Sequence, residues 1–248
     1  MSDKTDTAFV RLSVESLSRA IGRGWDMFSH TRQLSVTYAM IFAFIGVLIL
    51  VGIARASFAP MIFPLAGGFM LVGPLLLSGF FVLADRIARG EKCNLSDVAT
   101  GYSRTSPEMM VIAAVCTILF MVWITNVGTL YGFIVGRTPV TLLLLLTPTA
   151  NVVYFLLWSS LIGVLLAFII FSISAFSIPL LYYRRAGLVQ AVQLSVSAVF
   201  ANFFPCMLWA LILSMTIIAS ILVFPLFLLT FPVLAFASHA LYRELFPE

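Results

Sequence analysis

Residues 138–183 read TPVTLLLLLTPTANVVYFLLWSSLIGVLLAFIIFSISAFSIPLLYY, 46 positions without a Lys, Arg, Asp or Glu. A helix rises about 1.5 Å per residue and a bilayer's hydrocarbon layer is roughly 30 Å thick, so about 20 such residues suffice to cross it. Arg137 bounds the stretch on one side, Arg184 and Arg185 on the other. Residues 33–54, 56–84, 109–136 and 186–242 are equally free of charge, and the charged residues fall between these runs. With 62% hydrophobic and 10% charged residues and a mean hydropathy of +1.11, the chain lies outside the range of water-soluble domains. It reads as an all-α, polytopic membrane bundle forming one domain over residues 1–248.

Within the opening stretch, Leu142 to Leu146 is bracketed by Pro139 and Pro148 and is too short to cross. It reads as a loop, a re-entrant segment or the start of the span at residues 152–179. The other spans are expected at residues 33–51, within 58–84, and at 109–131, 205–221 and 224–241, six in all. The second contains Gly67, Gly68, Gly73 and Pro74, which predict a kink and close helix packing; the same interruption would suit a transporter's binding site.

Three polar or amphipathic segments precede pairs of spans. In residues 10–28, Val14, Leu17, Ile21, Trp25 and Phe28 share one helical face, opposite Arg11, Glu15, Arg19, Arg23 and Asp26. This predicts a helix lying in the headgroup layer, with packing on a soluble partner as the alternative. Asn94 begins a second short helix with Leu95, Val98 and Tyr102 on one side, and residues 186–201 form a third through Leu188, Val192, Ser195 and Val199. The chain thus divides into three candidate units, 10–91, 94–185 and 186–244, each an interfacial helix followed by a two-helix hairpin. Pro74-Leu75-Leu76, Pro179-Leu180-Leu181 and Pro232-Val233-Leu234 mark their second spans, with Arg86, Arg184 and Arg243 downstream.

Six spans place twelve of the fourteen Lys and Arg residues on one side, leaving Arg55 and Arg137 on the other. Cations collect on the cytoplasmic side, so both termini are expected there. No continuous apolar core precedes Leu34, so the first span is expected to direct insertion itself rather than follow a cleaved signal peptide. The net charge of +4 reports orientation, not nucleic-acid binding. Arg19, Arg23, Arg86 and Arg89 are the candidate contacts for anionic lipid headgroups or a protein partner.

Reactive chemistry is sparse. Cys93, Cys116 and Cys206 have no paired spacing and read as reduced, small hydrophobic residues. Only two histidines occur, His30 and His239, too few for a haem-copper oxidase core, and both read as polar tips near the cytoplasmic boundary. No zinc spacing, phosphate-binding loop or paired nucleophile and base appears, and no ionisable side chain is expected at mid-span. No catalytic, metal or cofactor residue is assigned. The deepest polar groups, Thr125 and Asn126 in span three and five serines in span four, would line a neutral path or hydrogen-bond neighbouring helices.

Ile178-Pro179-Leu180-Leu181, Ala191, Ser195-Val196-Ser197-Ala198-Val199, Asn202, Met207-Leu208-Trp209-Ala210, Pro232 and Tyr242-Arg243 resemble the carboxyl half of an uncharacterised bacterial integral-membrane family, domain of unknown function 2189. Ala66-Gly67-Gly68-Phe69-Met70-Leu71-Val72-Gly73-Pro74-Leu75-Leu76, with Arg86 and Gly90-Glu91, resembles its glycine-rich second span. The resemblance implies a bacterial inner-membrane protein and no established activity. Two histidines near that family's carboxyl end are replaced here by Phe236 and Ala240. The expected function is a non-enzymatic accessory or scaffold subunit packing against other membrane-protein subunits, for example in a respiratory complex; the alternative is a transporter or channel for a neutral or lipid-like solute.

Overall fold

The computed structural model describes residues 9–54, 77–136 and 149–247. Everything regular among these residues is helical. In chain order the helices are α1 (Val14–His30), α2 (Arg32–Ala54), α3 (residues 77–88), α4 (Leu95–Ser103), α5 (Pro107–Ile134), α6 (Ala150–Ser174), α7 (Ser177–Tyr182), α8 (Leu188–Ala201), α9 (Phe203–Leu222) and α10 (Phe224–Leu245). The described segments of the sequence-derived spans fall on α2, α3, α5, α6 with α7, α9 and α10. Gly67, Gly68, Gly73, Pro74 and the Leu142–Leu146 run lie outside the described residues.

By length and composition α5, α6 continued through α7, and α10 can each cross a bilayer, giving three spans, or up to five if two bent pairs count as one span each. Those pairs are α1 with α2 and α8 with α9, both bent by 101°. The three polar segments therefore do form helices of their own, and α1 and α8 are turned sharply from the apolar helices that follow them.

Ser13 starts α1 with a reciprocal cap: its hydroxyl accepts from Ser16 N at 3.2 Å, and the Ser16 hydroxyl accepts from Ser13 N at 3.3 Å. The helix then runs antiparallel along α10. Val10 N donates to Leu245 O at 2.8 Å, while farther along a Cβ on Gly24 would lie 2.6 Å from Val233 O and 2.8 Å from Ala237 N. Only glycine permits that approach. The expected stripe is consequently divided: Leu17 and Phe28 are buried together with Ser16, Ala20 and Gly24, whereas Val14 and Trp25 are each 51% exposed. The first helix thus packs on its own chain's last helix, with one apolar edge left outside.

An aromatic layer joins α2, α3 and α10. Tyr38 and Phe42 meet Phe80 at centroid distances of 4.8 and 6.3 Å, and Phe80 meets Phe236 edge-on at 5.4 Å. The Tyr38 and Tyr102 hydroxyls share a 3.0 Å hydrogen bond, and Gly101 of α4 sits where a Cβ would come 2.7 Å from Ser78 O. The face α4 buries is therefore Asp97, Val98 and Gly101, and Leu95 is exposed.

Helices α5 and α6 run antiparallel, as Tyr131 meets Phe155 and Trp123 meets Gly163. They stand apart from the body: 17% of the most apolar stretch of α5 is buried within the chain, against 50% for α10. The α6–α7 break at Ala175 is pinned by buried Ser195 of α8, whose hydroxyl donates to Ser172 O at 2.8 Å and accepts from Phe176 N at 3.2 Å. Asn202 at the α8–α9 corner accepts from Leu12 N at 2.7 Å, tying the start of the chain to that corner. Two positions that carried the family resemblance thus hold backbone turns.

Candidate functional site

The described ends of α3, α7 and α10 converge on one carboxylate. Asp85 lies near the end of α3 and is 8% exposed. Its Oδ1 accepts from the Tyr183 hydroxyl at 2.9 Å and from Arg243 at 3.2 Å, and His239 Nε2 stands 3.6 Å away. Tyr183 Oη is also 2.8 Å from His239 Nε2. A tyrosine hydroxyl has one proton, and a carboxylate only accepts, so Tyr183 donates to Asp85 and His239 Nε2–H donates to Tyr183. The Nδ1 of His239 is buried without a partner among the described residues.

Burial pushes the Asp85 carboxyl up, but hydrogen bonds from His239 and Tyr183, with Arg243, outweigh it and hold the group below its ordinary value. Burial and the Asp85 charge push the Tyr183 hydroxyl well up, so it stays protonated. Arg243 also lies over the Tyr183 ring at 4.8 Å, and Tyr183 stacks on Tyr242 at 5.7 Å. Asp85 and Arg243 form an ion pair, and Tyr183 and His239 complete a hydrogen-bonded clasp joining three helix ends.

His239 corrects an expectation. It was read as an interfacial tip, and it is 4% exposed among Phe81, Tyr183 and Asp85. The reason is tertiary: the Phe81 and Tyr183 rings, brought in by α3 and the end of α7, lie 5.8 and 6.0 Å from the His239 ring and cover it. Tyr183 went unnoticed in the sequence. The only sequence signal is loose: Asp85-Arg86, Tyr183-Arg184 and Tyr242-Arg243 each follow a proline-marked span, but at 11, 4 and 10 residues from the proline.

The four candidate arginines form two separate groups. Arg19 and Arg23 both reach Glu244, Arg19 at 2.5 Å and Arg23 at 3.8 Å. Arg86 pairs with Asp97 at 2.9 Å and Glu91 at 3.5 Å, and Arg89 pairs with Glu91 at 2.6 Å. Their exposed portions face outward, yet each already holds a carboxylate of its own chain. Among the described residues no group of three or more His, Cys, Asp or Glu could hold a metal, and Cys93, Cys116 and Cys206 are free thiols.

Residues 62–182 match the family model described as "Predicted integral membrane protein (DUF2189)", the family the sequence resembles. The match covers just under half of the chain and agrees with an apolar, multi-pass membrane protein. No curated protein and no solved structure matches.

Proposed function

We propose that the protein is a non-enzymatic accessory or scaffold subunit of the cytoplasmic membrane, docked through its α5–α6 pair against a transmembrane helix that presents a polar side chain. The carrying observation is Asn126. Asn126 is exposed on α5 and has no hydrogen-bond partner among the described residues, within a shallow groove of about 450 Å³ that also includes Ile118, Val122 and Thr129. Thr125 and Thr129 satisfy their hydroxyls on carbonyls of their own helix, at 2.9 and 2.8 Å. An amide facing lipid has nothing to bond to, and polar side chains between membrane helices contribute about 1–2 kcal/mol in peptide systems.

The test is site-specific photocrosslinking from position 122 in cells, in wild type and Asn126→Leu. A discrete membrane-protein adduct that Asn126→Leu reduces at least five-fold is expected. Adducts with lipid alone would sink the docking reading.

A second reading, a path for a small neutral solute, draws on two adjoining cavities of about 200 and 180 Å³ that share Leu77, Leu213, Ala235 and Ser238. Each is far smaller than a lipid. Solute uptake by proteoliposomes of the lone chain, abolished by Ser238→Trp, would favour this reading over the scaffold.

A further inference from the structure

The bend between α1 and α2 and the turn after α3 enclose an open groove of about 660 Å³. Leu34 and Ile87 form its apolar part, and His30, Arg32, Glu91 and Lys92 its polar part. Its charges are unevenly committed. Glu91, the one acid, is held by Arg86 at 3.5 Å and Arg89 at 2.6 Å. Arg32 and Lys92 are exposed and pair with no carboxylate among the described residues, unlike Arg19, Arg23, Arg86 and Arg89. His30 donates Nδ1–H to the Asp26 carbonyl at 2.7 Å, so its Nε2 is the ring nitrogen left open to the groove. Ser35 N donates to Thr31 O at 2.8 Å as α2 begins, but α1 ends at the same corner with its negative pole, so the groove's positive potential comes from the Arg32 and Lys92 side chains.

We propose that this groove binds a phosphate group between Arg32 and Lys92, with His30, in its protonated form, as a third donor. The inference is independent of the docking of α5–α6. Two sources share the chemistry: a phospholipid headgroup and free inorganic phosphate. The exposed Val10, Val14 and Trp25 edge of α1 leads to the same corner and would seat it at headgroup depth.

The test uses the full chain, purified and delipidated in neutral detergent. Native mass spectrometry follows binding of phosphatidylglycerol against phosphatidylcholine, and calorimetry follows inorganic phosphate. A cation near an anionic headgroup contributes about five-fold in affinity, so Arg32→Gln with Lys92→Gln should weaken binding roughly 25-fold. Arg11→Gln, which removes an exposed cation elsewhere, should change it less than two-fold. Ser29→Trp fills the groove with every cation in place and should abolish binding, which separates the site from diffuse surface charge even where the charge variants insert poorly. Groove-dependent binding of phosphatidylglycerol alone identifies a headgroup site, and equal groove dependence for inorganic phosphate identifies a free-anion site. Wild-type binding by Ser29→Trp, or equal losses in Arg11→Gln and Arg32→Gln, overturns the proposal.

Discussion

Asp85 carries its charge where water barely reaches, and four side chains divide the work of keeping it there. Tyr183 and Arg243 bond the same oxygen, His239 backs Tyr183, and Tyr242 stacks behind. Breaking a buried pair leaves the surviving partner uncompensated, so Asp85→Asn should cost about 3 kcal/mol, the low end because Arg243 is partly exposed. The folded carboxyl titrates below its unfolded value of about 3.9, so its contribution is complete above roughly pH 4 and is lost as pH falls through the lower folded value. Melting of wild type and Asp85→Asn in detergent should therefore differ strongly at pH 7 and converge below about pH 4; a gap unchanged across that range would assign the loss to packing alone. None of this convergence is legible from spacing, because Tyr183 is 98 positions from Asp85 and 56 from His239. Helical periodicity says which residues share a face, not which helix ends meet.

At the scale of the element, α1 shows how far the pattern carries. Its existence and amphipathic character follow from the four-residue recurrence of large apolar side chains, whereas its start at Val14 instead of residue 10 is set by the Ser13 cap. Which part of the stripe is buried does not, because the contact is made by Ser16, Ala20 and Gly24, residues that a hydrophobicity pattern weights lightly. Small side chains are what let two backbones approach, so the closest contact is the least conspicuous in sequence. Two glycines two residues apart, on nearly opposite faces of the helix, separate the effects. Gly24→Leu must force α1 off α10, since even a Cβ would meet backbone at 2.6 Å, and a loss above about 3 kcal/mol is expected. Gly22 has nothing within 4 Å of its Cβ position, so Gly22→Ala should stabilise by about 0.5–1 kcal/mol through helix propensity alone. Thermal unfolding followed by tryptophan fluorescence reads both; a destabilised Gly22→Ala would mean that this face is covered after all.

Across the whole molecule, charge and packing agree on one polar end. Asp85, Tyr183 and Arg243 meet there, Arg19 and Arg23 join Glu244 beside them, and Glu108 at the start of α5 lies within electrostatic reach of Arg184 at the end of α7. Residues 108 and 184 share an end only if the chain between them crosses an even number of times, which two antiparallel helices accomplish and a third crossing inside residues 138–183 would not. If the chain crosses six times, the same parity would put twelve of the fourteen cations on one side, which would orient that side toward the cytoplasm. The apolar, multi-pass character was legible because charge punctuates apolar length, and among the described residues three helices, or up to five spans with the two bent pairs, are long and apolar enough to cross; the association of the ends was not legible, since it depends on contacts between distant segments. Reporters fused after Glu91, after Arg185 and at the carboxyl terminus should all report cytoplasm, and one after Gly136 the opposite side. A reporter after Arg185 on the far side would require an extra crossing and would pull the clasp apart, because Tyr183 could then no longer share an end with Asp85.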